Sequence, residues 1–247
     1  MCLSAALVTL VVAAWAWLLP MHMAPMDLLP VGIPADPMPW TATTMMFVVV
    51  MWAVMMAGMM IPSALPMVLV HERIARARAY EYPLLATIAF VIAYLVVWTG
   101  FSALAAAAQW LLERQRLMSG MTASANALLS GGLLIGAGLF QWSPVKHVCL
   151  RKCRSPVSFI LNEWRPGVSG AFVSGLRHGG FCIGCCWALM ALLFVFGTMN
   201  LVAASVLAML VLAEKALPRG DWIARGVGVM LVTWGAWIIV GAFMTSP

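Results

Sequence analysis

Apolar runs long enough to cross a bilayer recur along the whole chain, near residues 3–20, 45–70, 83–108, 127–143, 179–197, 199–216 and 222–244. Spanning the hydrocarbon takes about 20 apolar residues in an α-helix. The pattern predicts an all-α fold: a polytopic transmembrane helix bundle of about seven spans, forming a single integral membrane domain over residues 1–247. Composition closes off the soluble alternative. Hydrophobic residues make up 64% and charged residues 9%, with a mean hydropathy of +1.00, too little polar surface to coat a water-soluble body.

The net charge of +6 is distributed as a topology signal and not as a nucleic-acid footprint. Arg73, Arg76 and Arg78 follow the second run. Lys146, Arg151, Lys152, Arg154 and Arg165 follow the fourth, and Lys215, Arg219 and Arg225 follow the sixth. The intervening loops hold only Arg114 and Arg116, with Arg177 beside the fifth run. By the positive-inside rule the N-terminus is expected to be cytoplasmic. The first run has no basic leader and no small-residue cleavage site after it, so it reads as a retained span.

The external loop predicted at 21–44 is rich in proline, which forbids regular helix. It carries Met21-His22-Met23-Ala24-Pro25-Met26, and His22, Met23 and Met26 offer an imidazole and thioethers suited to Cu(I). The second run is a methionine span in which Met55/Met59 and Met56/Met60 are i,i+4 pairs. Each pair shares a helix face and could pass a soft cation from sulfur to sulfur. Methionine is also a flexible core filler. Pro62 and Pro66 are expected to loosen this helix, and Gly132 and Gly136 of the fourth run make a small-xxx-small packing face.

Five of the six cysteines fall between Cys149 and Cys186, which favours a site over a disulfide framework. Cys149 and Cys153 stand four apart in a segment, 144–168, read as a cytoplasmic loop whose cations should favour thiolates. In Arg177-His178-Gly179-Gly180-Phe181-Cys182-Ile183-Gly184-Cys185-Cys186, helical spacing puts His178, Cys182 and Cys185 or Cys186 on one stripe. Placed at the cytoplasmic mouth of the fifth span, the stripe would meet Cys149 and Cys153. Thiolate-rich ligation selects Cu(I), Zn(II) or an iron–sulfur cluster; the methionines favour Cu(I). Glu214, beside Lys215 at the end of the sixth run, is a candidate further ligand or gate, or one half of an interfacial ion pair.

The segments Met55 to Met67, Gln141 to Pro156, His178 to Trp187, Met199-Asn200-Leu201 and Glu214-Lys215 together resemble a bacterial family of predicted metal-binding integral membrane proteins of unknown function. The resemblance implies a multi-pass protein of the bacterial inner membrane with a metal site. The function expected is binding of a soft metal, copper first, for transport or delivery, with no catalytic residue assigned. The alternatives are a membrane thiol–disulfide oxidoreductase using Cys182/Cys185 and Cys149/Cys153, or a structural or assembly subunit of a larger membrane complex. Besides the lipid bilayer, such a complex is the partner to be considered.

Overall fold

The computed structural model describes residues 2–23, 40–78, 81–117, 126–163, 165–198 and 200–245, and every regular element among them is a helix. In chain order these are α1 (Cys2–Met23), α2 (Ala42–Ala77), α3 (Pro83–Arg114), α4 (Ala127–Phe140), α5 (Pro144–Arg154), α6 (Pro156–Glu163), α7 (Gly167–Ala191), α8 (Leu193–Phe196), α9 (Leu201–Ala216) and α10 (Gly220–Thr245). The all-helical expectation holds. Four stretches are long and apolar enough to cross a membrane: α2, α3, α7 continued through α8, and Gly220–Met244 of α10. A fifth is reached if α4 and α5, bent by 64° at their junction, count as one. Among the described residues the expected seven are not reached, because α9 has only 16 residues and the apolar part of α1 is also short.

The α4–α5 bend has a local cause. Pro144 disfavours a helical conformation at Ser143, so α4 stops at Phe140 and a new helix starts with proline at its first position. Ser143 Oγ accepts from Val145 N at 3.2 Å and caps that start. The segment read as a loop, 144–168, is therefore largely helical. The fifth span was also placed too late: α7 begins at Gly167, whose φ of +80° suits glycine in the turn from Pro166.

Helix α2 is the longest, 36 residues or about 54 Å at 1.5 Å per residue. Thr41 Oγ1 accepts from Thr44 N at 3.2 Å to start it. Pro62 and Pro66 do not end it. Near the first of them the Met60 carbonyl accepts from Ser63 Oγ at 2.9 Å and from Tyr94 Oη of α3 at 3.3 Å, so neighbouring side chains bond the backbone at the proline-bearing turn. Further along, Trp52 Nε1 donates to Gln109 Oε1 at 2.9 Å, and Gln109 Nε2 donates to Glu113 Oε1 at 3.0 Å. The first bond ties α2 to α3 away from the cysteines, and the second, within α3, orients the Gln109 amide for it.

Residues Ala86, Phe90, Ala93, Tyr94, Trp98, Ser102, Ala105 and Gln109 recur at three and four along α3, so one stripe of it is buried. Helix α7 lies on that stripe because its contact positions are glycines: Gly175 sits over the Phe90 carbonyl and Gly179 against Val97. The α4–α10 crossing uses glycines too, but not the expected ones. A Cβ on Gly138 would lie 2.8 Å from Gly228 O, and one on Gly131 would lie 2.9 Å from Gly235 O, whereas Gly132 and Gly136 meet nothing within 4 Å. The contacting pair is spaced by seven, two full turns, so it stays on one seam along the crossing. Outer faces are apolar as well, with Leu104, Met209, Trp237 and Phe243 exposed.

Candidate metal centre

Cys182, Cys185 and Cys186 stand at i, i+3 and i+4 on α7 and are all buried in the main core. Cys185 Sγ and Cys186 Sγ both donate to the Cys182 carbonyl, at 3.1 and 2.9 Å, which turns both sulfurs back along the helix. Other helices complete the surroundings. From α3, Tyr94 Oη lies 3.2 Å from Cys182 Sγ. From α9, Lys215 Nζ lies 3.1 Å from the same sulfur and donates to Ser63 Oγ of α2 at 3.0 Å. Helix α5 brings Cys153 into hydrogen-bonding contact with Cys185 and sets Cys149 above Gly184, where a Cβ would stand 2.7 Å from Cys149 Sγ. The two thiol segments therefore meet.

Their setting differs from the expectation. His178 to Trp187 lie in the middle of α7 and not at its mouth, since four turns of new helix, about 3.6 residues each, precede Cys182. Cys153 points inward, and the cation in contact with the thiol cluster is Lys215 of α9, not a basic residue of the Cys149–Cys153 segment itself. Nor does Lys215 pair with its neighbour Glu214. Both Glu214 oxygens are taken, one by Lys146 Nζ at 2.7 Å and the other by Gln141 Nε2 at 3.1 Å, and Lys146 and Glu214 are fully buried. Residues 214 and 215 are about 100° apart around a helix, so they face different neighbours. Glu214 is an anchor that pins α5 to α9 and so helps to hold Cys153 against Cys185.

His178 shares the stripe but not the sulfurs. Its ring stacks on Tyr94 (centroids 5.6 Å, 26°) and on Phe90 (5.8 Å, 27°), with Phe159 edge-on at 5.5 Å. Its Nδ1 is buried without a hydrogen-bond partner. Tyr94 stands between this imidazole and Cys182, so the contact runs ring to ring and then hydroxyl to sulfur.

Met55, Met56, Met59 and Met60 are all buried in the same core as the thiols. Met60 Sδ lies 4.0 Å from Cys186 Sγ, so one end of the methionine rows touches the cysteine cluster. His22 and Met23 fall in the last turn of α1, where only the backbone is described, and Met26 lies outside the described residues.

Tyr94, Ser63, Lys146 and Gln141 belong to the site or its support and carried no sequence signal of their own. Tyr94 is one of three tyrosines and sits four residues from both Phe90 and Trp98, an aromatic column that marks a packed face without naming its partner. Lys146 is one of several basic residues on the helix that Pro144 starts, and a lysine there is readable only as an interface charge until its burial is known.

No three His, Cys, Asp or Glu side chains among the described residues converge as a ready-made metal cage. The sulfurs are instead arranged as a row of neighbours: Cys153 with Cys185, Cys185 with Cys186, and Cys186 with Cys182 and Met60. No curated protein and no solved structure matches the chain. Residues 49–238 match a family described as a copper chaperone, PpoB2, and that stretch takes in the methionine rows, all five central cysteines and Lys215.

Proposed function

The chain belongs to the PpoB2 copper chaperone family, and from that premise we propose that it is a membrane-embedded carrier of Cu(I). On this reading it holds the ion between neighbouring sulfurs, Cys153 with Cys185 or Cys182 with Cys186, and passes it along the row to or from Met60 and the methionine rows of α2. The observation that carries this reading is the contact of three kinds of soft or compensating group at one buried point: thiols from α7 and α5, the Met60 thioether at 4.0 Å from Cys186, and the Lys215 ammonium at 3.1 Å from Cys182.

The chemistry supports the monovalent ion. Thiolate and thioether sulfur is the ligand set that selects Cu(I), and Cu(I) is satisfied by a pair of sulfurs, so paired thiols suit it better than an ion needing a closed tetrahedron. Charge balances as well: Cu(I) with two thiolates carries one net negative charge, and Lys215 supplies the buried positive charge that offsets it. Copper here is cargo, so sites that touch one another allow transfer by ligand exchange without release to water. His178 serves as packing for Tyr94 in this arrangement, and Glu214 as structure.

The apolar outer surface, the four long apolar helices and the basic segments on alternate connections support a multi-pass inner-membrane location with the α5 side cytoplasmic. Reporter fusions at the 78–82 and 117–126 connections would test that orientation; equal reporter activity on both sides would refute it.

The test of function is metal analysis of the full chain purified anaerobically in detergent. Wild type is expected to hold Cu(I) against a chromophoric Cu(I) chelator, and Cys182→Ser/Cys185→Ser to lose it. Equal copper in the two proteins would sink the reading. The contact between Cys153 and Cys185 favours a thiol–disulfide oxidoreductase as the second reading. Its mark would be an oxidised Cys153–Cys185 pair trapped from cells with no copper bound.

A further inference from the structure

A cavity of about 260 Å³ lies beside the thiol cluster, lined by Ser63, Met67, Cys153, Arg154, Pro156 and Lys215 among others. Cys153 and Lys215 keep 8% and 9% of their surface exposed, while Cys182, Cys185 and Cys186 keep 1% or less. Two of the groups that touch those three cysteines therefore face the cavity directly: Cys153, in contact with Cys185, and Lys215, 3.1 Å from Cys182.

The lining carries two cations and no carboxylate. Arg154 donates to Asp221 at 3.3 Å and to the carbonyls of Leu217 and Pro218, which fixes its guanidinium in place. Lys215 pairs with no carboxylate among the described residues; its bonds go to Ser63 Oγ and to sulfur. Asp221 therefore meets the Arg154 charge and Lys215 is the lining cation without a carboxylate among the described residues, so the passage disfavours a free metal cation and favours an anion. Resting on the Cu(I) reading above, we infer that this cavity is a portal through which copper exchanges as an anionic Cu(I)–thiolate complex of a low-molecular-weight thiol. Lys215 receives the complex and then balances the charge of the protein-bound form.

The exchange is balanced without any change of oxidation state. A bis-thiolate complex, [Cu(SR)2]−, entering from the cavity meets the Cys153 and Cys185 thiols. Two protein Cu–S bonds form and two donor Cu–S bonds break. Both donors leave as RSH, each with the proton of one protein thiol. Net charge and copper valence are the same on both sides, and the reaction runs in either direction.

The experiment loads the full chain, reduced and anaerobic in detergent, from two donors: Cu(I) with excess glutathione, an anionic complex, and tetrakis(acetonitrile)copper(I), a cation. Stopped-flow absorbance of the thiolate-to-copper band gives each rate, and desalting gives the copper retained. The ratio of the anion-donor rate to the cation-donor rate is expected to fall about tenfold or more in Lys215→Met and to be kept in Lys215→Arg. In wild type the same ratio is expected to drop as ionic strength rises, a measurement that needs no variant to fold. A ratio unchanged in Lys215→Met, or a wild-type ratio indifferent to salt, overturns the portal while leaving the copper reading intact. Wild type that retains copper from neither donor overturns both.

Discussion

The Lys146–Glu214 pair offers a sharp test of how the site is held. Lys146→Met removes the ammonium and leaves the Glu214 carboxylate buried with a single donor, Gln141 Nε2 at 3.1 Å. Breaking one side of a buried pair costs about 3–5 kcal/mol, because the remaining charge has lost its partner but not its burial. For a chain of this size each kcal/mol corresponds to roughly 2–4 °C in Tm, so the midpoint should fall by roughly 6–20 °C. Lys146→Met/Glu214→Leu removes both charges and should recover most of that loss, since well-packed apolar replacements of buried pairs are often neutral or better. The assay is thermal unfolding in detergent followed by tryptophan fluorescence, for wild type, each single variant and the double. Copper retention is measured in parallel, because α5 carries Cys153 and is pinned to α9 by this pair. The double variant should regain stability ahead of copper retention, as apolar contact lacks the directionality of the ion pair. A double variant no more stable than Lys146→Met, or a single variant indistinguishable from wild type, would refute the reasoning.

Other outcomes follow from single contacts. Gly184→Ala places a methyl 2.7 Å from Cys149 Sγ and should cost about 1–3 kcal/mol as overpacking; Cys149→Ala in the same chain should relieve most of it in the same unfolding assay. Gly138→Val, with a Cβ 2.8 Å from Gly228 O, should destabilise the α4–α10 crossing by a similar amount and leave the copper content of the folded fraction unchanged. His178→Phe removes a buried Nδ1 that has no partner, a group whose desolvation costs about 1–3 kcal/mol; stability should rise and copper content persist, and loss of copper would restore His178 as a ligand. Met60→Leu should cost under about 1.5 kcal/mol yet slow copper transfer between the thiols and the methionine rows, measured as the rate of release to a chelator.

Much of this molecule was legible before any coordinate. Apolar runs of bilayer length, prolines at helix starts and the i, i+3, i+4 spacing of Cys182, Cys185 and Cys186 are local features, set by a helical repeat of about 3.6 residues. The meeting of Cys149 and Cys153 with α7 is expected for a reason that does not hold: the sequence reading puts the stripe at the mouth of its span beside a loop, whereas the contact is made by helix α5 packed on the middle of α7. Span count was less legible: whether α9 or α4–α5 crosses by itself depends on length against bends that Pro144 and Gly197 impose.

What only the tertiary structure decided is which face of each helix meets which neighbour. Periodicity puts His178 on the stripe with the cysteines, but the rotation of α3 places Tyr94 between them and turns the histidine into a ring in an aromatic stack. Periodicity cannot choose between Gly132/Gly136 and Gly131/Gly138, since both pairs recur along one side of α4; the position of α10 chooses. Adjacent Glu214 and Lys215 read as one ion pair in the sequence, and they separate because a step of about 100° aims one at Lys146 and the other at Cys182. The sequence determined the ligands available to the site; the helix crossings, where backbones close up on glycine and charges find partners across helices, determined which of them share it.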